Sequence, residues 1–143
     1  MGHSLGGPMV VKLAADDPTL FSTIVIVAGA LDINQEAKET WRKIMNVSRC
    51  TGYCPEHLGQ AILNYFILKK IYCLCKMILT NITCKVLFVH GDADTWVPIK
   101  NIAFGQKMMV NAASITADTL HGADHQIPWK RHDELKNILL NLY

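Results

Sequence analysis

The chain has 143 residues, half of them hydrophobic and 18% charged, with a formal net charge of +2. That length fits one domain able to bury a core, and the composition excludes a disordered chain. So small a net charge gives no basis for a nucleic-acid or acidic partner. No uncharged apolar run reaches the roughly 18 residues of a membrane-spanning helix.

The first element is a turn. Gly2-His3-Ser4-Leu5-Gly6 has the form G-x-S-x-G, a sharp strand-to-helix elbow that lifts a serine hydroxyl into a site. Such a turn strains the serine backbone, and side chains at its flanking positions collide with the neighbouring turn, so glycine suits them. The chain enters this motif at once and shows no secretory leader, so the expected compartment is the cytoplasm. The sequons at Asn46 and Asn81 then carry no meaning.

A helix is predicted from Leu5 to Ala15, with Met9, Val10, Leu13 and Ala14 on one face, Pro8 in its first turn and Asp16-Asp17-Pro18 as its stop. Thr23 to Ala28 is a continuous β-branched run ended by Gly29. It reads as a strand buried on both faces, as parallel strands are. Asn34 to Asn46 reads as a polar helix containing Trp41. From Cys50 to Cys84 the texture changes: all 5 cysteines fall here, and Glu56 is the lone acid. The cysteine count is odd and the spacings do not match zinc pairs, so free thiols are expected. Ala61 to Leu79 is apolar nearly all round. It can be a lid helix pair, an interfacial membrane segment, or a stretch translated in a shifted frame.

Val86 to Val89 reads as a second buried strand, ended by His90-Gly91. Pro98 to Val110 reads as a helix, Ser114 to Leu120 as a half-exposed edge strand, and Lys130 to Tyr143 as an amphipathic helix carrying Leu135, Ile138, Leu139 and Leu142. Strands alternating with helices give an α/β fold with a parallel sheet. Such sheets bind ligands beyond the carboxyl ends of their strands. Asp32, the pair Asp92 and Asp94, and the loop His121 to His125 all fall there.

A serine hydroxyl needs a base to take its proton, and a histidine base needs a carboxylate to fix its tautomer. Ser4, Asp94 and His125 follow in that chain order. Asp32 is a substitute candidate for the acid. His3 and His90 are expected to order their turns by hydrogen bonding. His57, His121 and His132 carry no signal, and Trp129 and Phe104 are expected to pack.

Three blocks resemble the α/β-hydrolase superfamily, esterases and lipases among them. The elbow Gly2 to Gly7 is one. Val86-Leu87-Phe88-Val89-His90-Gly91-Asp92-Ala93-Asp94-Thr95-Trp96-Val97-Pro98 is similar to the family's acid block, H-G-x-x-D-x-x-V-P after a strand. Gly122-Ala123-Asp124-His125 is similar to its G-x-x-H loop. The resemblance covers 1–33 and 83–143, which would form the hydrolase core, with 34–82 as a lid insertion.

The resemblance implies a serine hydrolase acting on a small-molecule ester or acyl substrate. Ser4 would be the nucleophile, His125 the base, Asp94 rather than Asp92 the acid, and the N–H of Leu5 one oxyanion donor. It implies no metal or organic cofactor. The family places several strands ahead of the elbow and a second oxyanion N–H on an earlier loop. The expectation is therefore an N-terminally truncated member with three parallel strands, Thr23–Ala28 being an exposed edge that invites pairing with another chain. The alternative expectation is a non-catalytic remnant.

Overall fold

A computed structural model describes residues 1–32 and 78–142. In chain order it contains β1 (Gly2–His3), α1 (Gly6–Asp16), β2 (Thr23–Val27), β3 (Lys85–Gly91), α2 (Lys100–Met108), β4 (Ser114–Leu120), α3 (Ile127–Lys130) and α4 (His132–Leu140). The strands form one sheet in the order β1-β2-β3-β4. Every neighbouring pair is parallel.

Both faces of the central strands are buried, and the side-chain period of two divides their residues between two cores. Ile24, Ile26, Val86 and Phe88 face one cluster with Val10, Val11 and Ala14 of α1 and Ile102 of α2. Val25, Val27, Leu87 and Val89 face the other with Ile127 of α3 and Leu135 of α4. A continuous apolar run is what a strand between two helical layers needs. β4 has one partner among the described strands and is mostly exposed, as an edge strand should be.

Among the described residues the parallel sheet has four strands where about three were expected. Gly2 and His3 pair with Ile26 and Val27, so β1 covers the carboxyl half of the predicted edge. Two residues, one a glycine, carry no apolar alternation, so nothing in the sequence marks β1. β2 also ends at Val27, before Ala28. Ala28 takes φ +46° in the left-handed region, while its N–H still donates to Val89 O at 2.9 Å.

Helix boundaries follow local chemistry. α1 runs to Asp16, and Asp17 turns extended, accepting bonds from the Thr19 N–H and hydroxyl. The Thr19 side-chain bond, then its backbone bond, lower the Asp17 carboxyl pKa. The helix predicted from Lys130 to Tyr143 is found as α4, His132–Leu140, with Lys130 closing the short α3 and Arg131 standing between the two. Asp133 and Glu134 occupy the first turn of α4, where acids suit the helix dipole. Leu79, Ile82 and Cys84 join the first core cluster, and burial pushes the Cys84 thiol pKa up. The expected helix over Asn34–Asn46, the bulk of the lid, and Cys50, Cys54, Cys73 and Cys75 lie outside the described residues. Among the described residues no helix is long and apolar enough to cross a membrane.

Candidate active site

The carboxyl ends of β1, β3 and β4 bring three predicted residues together. Ser4 follows β1 directly. Its N–H donates to Val27 O at 3.0 Å, and its carbonyl accepts from Gly7 N at 3.0 Å and Ala30 N at 3.2 Å. These bonds hold Ser4 at φ +53°, a conformation that costs a non-glycine residue energy and needs its surroundings to enforce it. Gly2 makes the turn passable. A Cβ there would lie 2.1 Å from Gly6 O. Gly6 is different: a Cβ there meets nothing within 4 Å, so the expected collision applies to Gly2 and not to Gly6.

The side chains form a chain of hydrogen bonds. Ser4 Oγ lies 3.0 Å from His125 Nε2, and His125 Nδ1 lies 2.8 Å from Asp94 Oδ2. An ionised carboxylate has acceptors and no donor, so Asp94 in that form draws the imidazole proton to Nδ1. Nε2 is then left as an acceptor for the Ser4 hydroxyl. Asp94 and His125 are both buried.

Asp94 is fixed as well as placed. Its Oδ1 accepts the backbone N–H of Trp96 at 2.8 Å and of Val97 at 2.9 Å. Behind it, buried His90 donates from Nε2 to Val97 O at 2.9 Å, 3.5 Å from Asp94 Oδ2. Burial lowers the His90 pKa from 6.5, against opposing effects of the Val97 carbonyl and Asp94, with His125 adding to the lowering. His90 therefore orders its own turn, as expected.

Asp92 points elsewhere. Its Oδ1 accepts from Gly122 N at 2.7 Å and its Oδ2 pairs with His121 Nδ1 at 2.6 Å. The Gly122 bond, then His121, lower the Asp92 carboxyl pKa. The Asp32 backbone N–H donates to Asn101 Oδ1 at 2.6 Å, whereas the carboxylate that meets His125 Nδ1 is that of Asp94. Leu5 is the exposed residue just ahead of α1.

Three contacts were not legible in the sequence. His3 donates from Nε2 to the carbonyl of His125 at 2.9 Å, so it ties the elbow to the histidine loop rather than ordering its own turn. Trp96 lies with its ring 5.2 Å from that of His125. Trp129, expected to pack, is 70% exposed and stands edge-on to His3 at 5.3 Å. Phe104 does pack against the core, and His132 sits exposed beside Asp133. A small cleft beside His125 is lined by Thr95, Trp96, Asp124 and Gln126. Asp124 is engaged there by the Lys130 ammonium and Gln126 N–H, which lower its pKa in that order.

Comparison with known proteins places this geometry in context. The model of the prolyl oligopeptidase family matches residues 1–140. Comparison with curated proteins gives no match. Among solved structures, the chain is similar to a predicted CIB-like hydrolase from Thermoplasma acidophilum, with TM-score 0.60 and 20% identity over 99% of this chain and 48% of that one. An esterase of M. tuberculosis gives TM-score 0.66 and 16% identity over 99% and 60%. A monoacylglycerol lipase of Paleococcus ferrophilus gives 0.61 and 18% over 99% and 65%. The chain thus spans about half to two thirds of the length of these structures. The fold they share with it is the α/β-hydrolase fold, here as a four-stranded parallel portion.

Proposed function

Because the chain belongs to the prolyl oligopeptidase family, we propose that it is a serine hydrolase, esterase- or lipase-like, cleaving a carboxylic ester or related acyl bond. Ser4 is the nucleophile, His125 the general base and then acid, and Asp94 the group that orients His125. The observation that carries this reading is the relay Ser4 Oγ to His125 Nε2 at 3.0 Å and His125 Nδ1 to buried Asp94 Oδ2 at 2.8 Å.

The chemistry follows from the relay. As Ser4 Oγ bonds to the acyl carbon, its proton passes to His125 Nε2. The imidazolium is stabilised by Asp94, whose other oxygen is already saturated by backbone N–H groups. The tetrahedral intermediate collapses when the bond to the leaving oxygen breaks and that oxygen takes the proton from Nε2. Water then repeats the sequence on the acyl-serine and returns the free enzyme. The Leu5 N–H, at the start of α1 where helix amides lack partners within the helix, is the donor for the oxyanion. One such donor is worth about 100- to 1000-fold in rate.

A fluorophosphonate probe tests the reading on the folded chain. Ser4 should be labelled, as located by mass spectrometry, and p-nitrophenyl acetate should be turned over. Ser4→Ala should abolish both. A folded wild-type chain that leaves Ser4 unlabelled overturns the proposal.

A further inference from the structure

The site carries more exposed aromatic surface than a relay of serine, histidine and aspartate needs. Trp96 and Trp129 are each 70% exposed. The His125 ring lies 5.2 Å from Trp96 with planes 32° apart, His3 lies 4.9 Å from His125, and Trp129 lies 5.3 Å from His3. Scattered single apolar residues on a surface need no explanation. A continuous row of rings across the histidine that moves protons is a different case.

Trp96 is held there. Its backbone N–H donates to Asp94 Oδ1 at 2.8 Å, and Asp94 Oδ2 receives His125. One carboxylate therefore fixes both the base and the backbone beneath the indole. Trp96 and His125 share the small cleft with Thr95, Asp124 and Gln126. Its acid, Asp124, is already engaged by Lys130 and the Gln126 N–H, so a neutral group entering meets no unpaired carboxylate from it.

We propose that Trp96 is a specificity-determining residue that forms the leaving-group wall of the site and favours esters whose leaving alcohol carries an aromatic ring. The inference rests on the reading of Ser4 as nucleophile and His125 as base. In that reaction the leaving oxygen takes its proton from His125 Nε2, so the departing alcohol stands beside His125. A flat apolar face fixed next to that position rewards a ring by offset stacking and exclusion of water. A methyl group covers little of it.

Benzyl acetate and methyl acetate share an acyl group and differ in the leaving alcohol. Trp96→Ala should lower kcat/KM for benzyl acetate about tenfold while methyl acetate changes by less than about twofold, and Trp96→Phe should retain most of the preference. The alanine variant keeps the backbone N–H that holds Asp94, so fluorophosphonate labelling of Ser4 should persist in it. Equal losses on both esters overturn the proposal.

Binding gives a readout independent of turnover. Benzyl alcohol should shift the indole N–H resonance that Trp96→Ala removes from the NMR spectrum, and methanol should not. That shift without any turnover would sink the hydrolase reading and the leaving-group role with it, leaving only an aromatic-binding face at Trp96. Turnover with neither the selective loss nor the shift sinks the wall alone. Neither turnover nor shift sinks both.

Discussion

Asp92 and Asp94 leave the same turn after β3 and take different histidines. Asp94 Oδ2 meets His125 Nδ1 at 2.8 Å in the interior, and Asp92 Oδ2 meets His121 Nδ1 at 2.6 Å at the surface. The two pairs join the same two loops, from β3 and from β4, but their surroundings differ. The Asp94 and His125 side chains are almost wholly buried, whereas the His121 side chain is 99% exposed. An exposed ion pair contributes little. A buried carboxylate that fixes an imidazole tautomer governs whether the histidine can act as a base at all.

The two acids should therefore separate cleanly by mutation. Asp94→Asn keeps the size of the side chain but can offer His125 an amide donor, which favours the wrong tautomer. The expected loss is about 10⁴-fold in kcat. Asp92→Asn keeps an oxygen for the Gly122 N–H and should leave kcat within a few-fold. Steady-state hydrolysis of p-nitrophenyl acetate by the two variants is the measurement. Similar losses in both would show that the acid had been assigned to the wrong residue.

The elements legible in the sequence are those whose side chains state their burial. β2 and β3 lie between two helical layers, so Ile24 to Val27 and Val86 to Val89 must be apolar at every position. Nothing in Gly2-His3 marks β1, because the pairing with Ile26 and Val27 is a property of the partner strand and the elbow geometry. The grouping of Ser4, Asp94 and His125 was legible through the family resemblance, which ranked Asp94 over Asp92 by its place in the H-G-x-x-D block and pointed to His125 in the G-x-x-H block. The contacts around it were not. The bond from His3 to the His125 carbonyl spans 122 positions, and no local pattern encodes such a distance. Trp96 and Trp129 look like core residues by type. Only the fold shows them exposed near His125 and His3.

The elbow glycines should respond unequally to alanine. At Gly2 the new Cβ would stand 2.1 Å from Gly6 O and 2.9 Å from Gly7 N. Both are backbone atoms of the first turn of α1, so relief requires the elbow itself to open. Gly2→Ala should cost about 1–3 kcal/mol and suppress labelling of Ser4. At Gly6 the space is open, and alanine is the better helix former. Gly6→Ala should stay within about 0.5 kcal/mol of wild type and label normally. Urea denaturation and probe labelling read both effects, and equal damage from the two substitutions would contradict the steric account.

Stability should depend on pH near neutrality through His90. Its folded pKa is lowered from 6.5 because burial penalises the charged ring more than the Val97 carbonyl and Asp94 favour it, and His125 repels the same charge. Below 6.5 the unfolded chain binds a proton that the folded chain still refuses. The unfolded state then holds more protons, so stability rises with pH across this range. The contribution of His90 is present in full above its unfolded pKa and is lost as pH falls towards the lowered folded value. The lowered carboxylates Asp17, Asp92, Asp124 and Glu134 act in the same direction but below 3.8 or 4.5, beneath this window. His90→Asn retains an N–H for the Val97 carbonyl and removes the titration. Urea midpoints measured between about pH 7.5 and 5.5 should fall more steeply for wild type than for His90→Asn. Parallel slopes would mean that His90 takes up its proton in the folded state as readily as in the unfolded one.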